Sequence, residues 1–247
     1  MTYFAPIFIS LVSFLLGKDE VEIVFAGDAM QHTAQIDASR NADGSHSYDV
    51  CFANIADYVS SADYAVVNLE TPLGGKPYRG YPCFSAPDSY SQALADAGFD
   101  MMLTANNHSL DRLDAGIART LDVLDKQGIA HVGTYRNKAE RDSVLPIIKD
   151  INGFKVAFLN YTYGTNGIEI KGDVVVDYID RELIASDIAR SREAGAEIVT
   201  VAIHWGNEYQ LLPHSSQKSL ADFSSAMLTD ILESSLHFNK VIYQYFS

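Results

Sequence analysis

Apolar and polar positions follow two alternating regimes along this chain. Short apolar runs, most of them rich in Val, Ile, Phe and Ala, recur at Val21–Ala26, Tyr64–Val67, Asp100–Leu103, Ile129–Val132, Val144–Ile148, Phe154–Leu159 and Ile198–Ile203. Their length and β-branched content predict strands. Between them apolar residues fall three and four apart. Examples are Phe52, Ile55, Ala56 and Val59, then Ile117, Leu121 and Leu124, then Leu183, Ile184 and Ile188. That spacing predicts helices over Cys51–Ser60, Asp114–Gln127 and Asp180–Ala194, and further helices are expected over Asp88–Ala97 and Ser215–Leu232. Asp88 reads as a helix cap, and Gly98 and Gly128 as helix stops. Asn152–Gly153 between two apolar runs signals a tight hairpin. Leu73–Pro87, dense in Gly and Pro, reads as a loop that either lines a site or packs on the surface. Strand and helix alternate from Val21 to Ile203, which predicts an α/β fold with a largely parallel, helix-covered sheet.

Charge narrows the partners. The 247 residues carry a formal net charge of −14, which argues against a nucleic-acid backbone as ligand. An anionic substrate held through a metal stays compatible with it, because a bound cation reverses the local field. Two cysteines, Cys51 and Cys83, are too few for a disulfide framework or a Cys-based zinc site and read as free thiols. Thr2–Leu16 is almost wholly apolar, so residues 1–18 are expected to be a secretory signal or membrane anchor and the protein extracytoplasmic. A buried first element of the domain is the alternative.

Four of the predicted strands run into side chains of the metal-binding type. Val21–Ala26 leads to Asp28, Tyr64–Val67 to Asn68 and Glu70, Asp100–Leu103 to Asn107 and His108, and Ile198–Ile203 to His204. Parallel strands of one sheet emerge at one edge, so these groups are expected in one crevice. Carboxylate, amide oxygen and imidazole suit Mn, Fe, Zn or Mg. A shared carboxylate with His and Asn suits a two-metal site acting on a phosphoryl or carbonyl centre. Taken singly, each of these residues also reads as a turn former, a helix cap or a half-buried polar group. The same placement occurring four times separates the set from that bland reading. His32, His46, His131 and His237 lack it and are read as structural or surface residues.

Several stretches together resemble the CapA family of capsule and poly-gamma-glutamate biosynthesis proteins, whose domain is a variant of the calcineurin-like metallophosphoesterase fold. They are G-D-A-M at 27–30, A-D-Y-A-V-V-N-L-E-T-P-L at 62–73, A-G-F-D-M-M-L-T-A-N-N-H-S-L-D at 97–111, G-I-A-H-V-G at 128–133, K-V-A-F-L-N-Y-T at 155–162 and H-W-G-N-E-Y at 204–209. Their order and number make the resemblance specific. It implies a four-layer metallophosphoesterase-like sandwich and a metal-dependent hydrolase or transferase. Asp28, Glu70, Asn107 and His204 would hold the metal, two ions in a complete domain, with Glu70 bridging. His108 would be the catalytic imidazole, and Asn68, Glu208 and Tyr209 would line the substrate side. The implied partners are an anionic polymer or a small phosphoryl-type substrate, together with capsule-synthesis membrane proteins. A non-catalytic surface protein that binds capsule components, or a truncated inactive paralogue, is the rival.

The family pattern continues with a G-H-x-P-H segment whose histidines complete the metal site. After Asp222 this chain departs from that pattern. The expectation is therefore a CapA-like domain over 19–222, incomplete at its C-terminal end, and a divergent, frameshift-like tail over 223–247.

Overall fold

The computed structural model describes residues 20–207, 210, 212–229 and the strand Val241–Tyr243. The strands in chain order are β1 (Ile23–Ala29), β2 (Tyr64–Leu69), β3 (Met101–Leu103), β4 (Ala130–Val132), β5 (Thr134–Tyr135), β6 (Ile147–Ile151), β7 (Phe154–Thr162), β8 (Val175–Val176), β9 (Ile198–His204) and β10 (Val241–Tyr243). The helices are α1 (Thr33–Ala38), α2 (Ala53–Ser61), α3 (Asp88–Asp96), α4 (Leu113–Gln127), α5 (Lys138–Val144), α6 (Arg181–Glu193) and α7 (Ser215–Thr229).

The α/β class is as expected, and the strands divide between two main sheets, as in the four-layer sandwich that the resemblance implies; the strand pattern by itself had suggested a single sheet. The first runs β1-β2-β3-β4, all parallel. The second runs β10-β9-β7-β6, parallel except for the β6–β7 hairpin. A small antiparallel pair, β5–β8, lies outside both. The two-residue period of β2 shows how the sheets stack. Val66 faces inward and shares a core with Met101, Leu103, Phe158, Val199 and Val201. Its neighbours Ala65 and Val67 face outward, where Leu94 of α3 and Leu124 of α4 cover them. Ile184, Ile188 and Leu220, from α6 and α7, join the inner core from the second sheet. The order is helix, sheet, sheet, helix. Each fully buried Val, Leu or Met here contributes about 1.5–3 kcal/mol over an exposed position. Alternation of apolar residues cannot say which of two sheets a strand joins, because either gives it two covered faces.

Local signals were mostly legible. Asn152 and Gly153 have φ of 54° and 90°, and Ile151 pairs with Phe154 across them, a two-residue hairpin with both central residues left-handed. Gly128, at φ 71°, ends α4. Asp180 caps α6 by accepting the Leu183 N–H at 2.8 Å. Asp88 is not a cap. It is the first residue of α3, and its carboxylate makes a two-pronged pair with Arg119 at 2.8 and 2.9 Å. The expected strand at Val144–Ile148 starts at Ile147, because Lys138–Val144 forms α5. That helix is strongly polar and has little apolar period to reveal it. Asn137 caps it by accepting the Glu140 N–H. Both cysteines are free. Among the described residues no helix is long and apolar enough to cross a membrane. The expectation for residues 1–18 falls outside the described residues.

Candidate metal centre

The C-terminal ends of β1, β2, β3 and β9 meet where the edges of the two main sheets face each other. Asp28 reaches this point through a bulge. Ala26 pairs with Val67, and the next partners are Asp28 and Asn68, so Gly27 is an extra residue. Without it Gly27 would stand opposite Asn68; with it the Asp28 carboxylate does. Asn68 Nδ2 donates to Asp28 Oδ1 at 2.8 Å. Glu70 lies two residues beyond Asn68, on the same side. Its side chain is 3 % exposed, and Oε1 stands 3.6 Å from His204 Nε2. His204 is the last residue of β9, in the second sheet. Its Nδ1 is 3.3 Å from Asn68 Nδ2 and 3.8 Å from Asp28 Oδ1. Its Nε2 is 2.8 Å from Asn107 Oδ1. One ligand atom each from Asp28, Glu70 and His204 lie within 4.8 Å of one another.

A chain of amides sets the ring's tautomer. Asn106 Nδ2 donates to the Leu69 carbonyl, and its Oδ1 accepts the His108 N–H, so backbone groups hold both ends of that amide. Asn106 Nδ2 also reaches Asn68 Oδ1 at 3.2 Å. The Asn68 amino group must then face Asp28 and His204 Nδ1. A donor aimed at Nδ1 makes it an acceptor and puts the ring proton on Nε2, which donates to Asn107 Oδ1. Burial pushes the His204 imidazole down to about 3, and the nearby His108 adds to this. The carboxylates of Asp28 and Glu70 pull the other way, but the ring is 1 % exposed and desolvation prevails. A neutral imidazole beside two carboxylates and an amide oxygen is a donor set that fits a divalent cation, whose charge would offset the two acids.

His108 approaches from the loop after β3. Its Nδ1 donates to Asp111 Oδ2 at 2.8 Å, which directs Nε2 toward Glu70, 4.0 Å from Oε1. Asp111 Oδ2 also accepts the Phe84 N–H at 2.7 Å, and the Phe84 ring meets His108 edge-on at 4.6 Å between centroids. The Leu73–Pro87 loop therefore lines the site. On the other side the exposed Tyr163 ring stacks on His204 at 6.1 Å. Tyr163, Trp205, Asn207, Arg181 and His214 border an open cleft there.

Asp28, Asn68, Glu70, Asn107, His108 and His204 thus lie together. Glu208 and Tyr209 fall outside the described residues. Asp111, Asn106 and Asn166 were not singled out from the sequence. Asp111 had a signal in its i,i+3 spacing from His108. Asn166 had only its Asn–Gly context, which reads as a turn. Among the other histidines, His32 packs edge-on against Phe84, His46 accompanies Ser39 and Tyr78, and His131 pairs with Asp125.

A family model described as bacterial capsule synthesis protein PGA_cap matches residues 22–231. The chain is 26% identical over 222 residues to the PGA biosynthesis protein CapA of Bacillus subtilis (strain 168), covering 87% of this chain and 56% of that protein. It is 25% identical over 184 residues to the capsule biosynthesis protein CapA of Bacillus anthracis, covering 70% and 44%. An uncharacterized protein of Sinorhizobium fredii, y4sH, is 31% identical over 97 residues, 36% of this chain and 21% of that one. The chain spans about half the length of the two Bacillus relatives.

Proposed function

The chain belongs to the bacterial capsule synthesis protein family, and we propose that it carries a divalent-metal hydrolase or transferase site acting on a phosphoryl or carbonyl centre. One observation carries the reading: Asp28, Glu70 and His204, in or directly after strands of two different sheets, present ligand atoms within 4.8 Å of one another. Asn107 Oδ1, 2.8 Å from His204 Nε2, supplies a fourth donor. Glu70, whose Oε1 is 3.6 Å from His204 Nε2 and 4.0 Å from His108 Nε2, would be the carboxylate available to a second ion. Bound divalent ions in such a site polarise a substrate oxygen and lower the pKa of a water.

The chain's own groups would do the rest. Asp111 holds the His108 proton on Nδ1, leaving Nε2 to take or give a proton at the leaving group. Asn68 keeps Asp28 and His204 oriented. The cleft beside Tyr163 and Trp205 gives room for the remote part of a substrate, either a small phosphoryl compound or an anionic polymer. An extracytoplasmic setting beside capsule-synthesis membrane proteins agrees with the capsule biosynthesis names of the relatives and with the apolar Thr2–Leu16.

Metal analysis of the purified chain after Mn or Zn loading tests this. About two ions per chain are expected, and Asp28→Ala and His204→Ala should each abolish or sharply weaken their binding. A wild-type chain that takes up no metal would overturn the reading.

A further inference from the structure

We infer that Asn166 is a positioning residue that determines which end of the Asn107 amide faces the metal centre. The inference rests on the metal reading of the site. An asparagine amide has two nearly isosteric ends, and only the oxygen can ligate a cation. Asn107 Oδ1 is held inward by the Nε2 proton of His204 at 2.8 Å. Its outward end, Nδ2, donates to Asn166 Oδ1 at 3.2 Å. An ion at His204 changes the hydrogen bonding of that ring. The bond to Asn166 does not involve His204 and survives, so it becomes the contact that keeps the oxygen inward.

The backbone presents Asn166 at a fixed point. Asn166 and Gly167 have φ of 52° and 75°, and the Ile168 N–H donates to the Thr165 carbonyl at 2.9 Å, forming a tight turn with both central residues left-handed. Thr165 Oγ1 donates to the Ile168 carbonyl at 2.8 Å and lies 3.0 Å from the Tyr178 hydroxyl, which fastens the turn to the strand side of the site. Asn166 itself is exposed, while Asn107 is 6% exposed. Asn–Gly is a common pair for such a turn. What the turn does not require is the contact to Asn107. Asn166 Nδ2 also lies 3.4 Å from His108 Nδ1, but that ring nitrogen's proton is committed to Asp111.

The test uses the full chain with Mn2+ as probe, read by calorimetry or by the loss of free-ion EPR signal, and thermal melting of the metal-free protein as the structural control. Asn166→Gly keeps the turn, since glycine accepts the left-handed backbone, but removes the acceptor. It should melt close to wild type and bind Mn2+ about 10-fold or more weakly, as expected when a ligand loses the group that orients it. Asn166→Asp keeps an acceptor oxygen and should stay close to wild-type affinity. The same Asn166→Gly change in an Asn107→Asp background should have little effect, because either carboxylate oxygen can then ligate. A loss that persists in that background would mark general destabilisation and overturn the inference, as would wild-type affinity in Asn166→Gly. Absence of Mn2+ binding by the wild-type chain would overturn the metal reading, and this inference with it.

Discussion

Gly133→Ala tests how the fold delivers the site. Gly133 follows β4 at φ +116°, a region that L side chains rarely adopt. A Cβ there would stand 2.2 Å from Asn160 Oδ1, 2.7 Å from Ala105 Cβ and 2.7 Å from Ala105 N. None of these can yield cheaply. Asn160 and Ala105 are 2% and 0% exposed, and Asn160 Oδ1 accepts the Ala105 N–H at 2.8 Å. The backbone conformation costs about 1–3 kcal/mol in a residue other than glycine. Displacing Asn160 strands a buried N–H, which costs about 1–3 kcal/mol more. The sum is about 4 kcal/mol, or about 8–16 °C in melting temperature for a chain of this size. Ala105 leads directly into Asn106 and Asn107, so metal affinity should fall as well. Gly153→Ala is the control, because its φ is +90° but an added Cβ there meets nothing within 4 Å. It incurs only the backbone term. Thermal and urea unfolding of both variants decide the matter. Equal melting temperatures for the two would refute the idea that close approach to Asn160 and Ala105 makes Gly133 necessary.

Two further predictions concern a buried charge cluster behind the site. The Arg141 guanidinium pairs with Asp177 at 2.5 Å and with Asp187, and all three side chains are at most 8% exposed. Arg141→Met would leave two carboxylates buried and should cost about 3–5 kcal/mol in urea unfolding; a loss under about 1 kcal/mol would mean that Tyr135, Tyr161 and Arg190 suffice to hold the two acids. Burial raises Asp177 from 3.8 to about 6 although Arg141 opposes the shift, and the like charge of Asp187 adds to the rise. A carboxyl with a raised native pKa contributes stability below about pH 4 and loses it as pH rises through 6. Asp177→Asn, which cannot ionise, should therefore lose less stability than wild type between pH 4 and 7, and parallel stability curves would contradict this.

Much of this molecule was written locally. Runs such as Ile198–Ile203 fixed strands, the Ile117–Leu121–Leu124 spacing fixed α4, and Asn152–Gly153 fixed a hairpin, because each depends only on residues a few positions apart. The polar residues at the strand ends, Asp28, Glu70, Asn107, His108 and His204, were legible as metal-binding types for the same reason. Their companionship was not. Apolar periodicity cannot tell one sheet from two, so only packing of the two sheets could bring His204 against Asp28 and Glu70. The extra residue Gly27, which turns Asp28 inward, depends on register with β2. The tautomer of His204 depends on amides at positions 68, 106 and 107. Such contacts join residues up to 176 positions apart, as in His204 and Asp28, and no window along the chain contains them; the tertiary structure alone decided that these strand ends form one site.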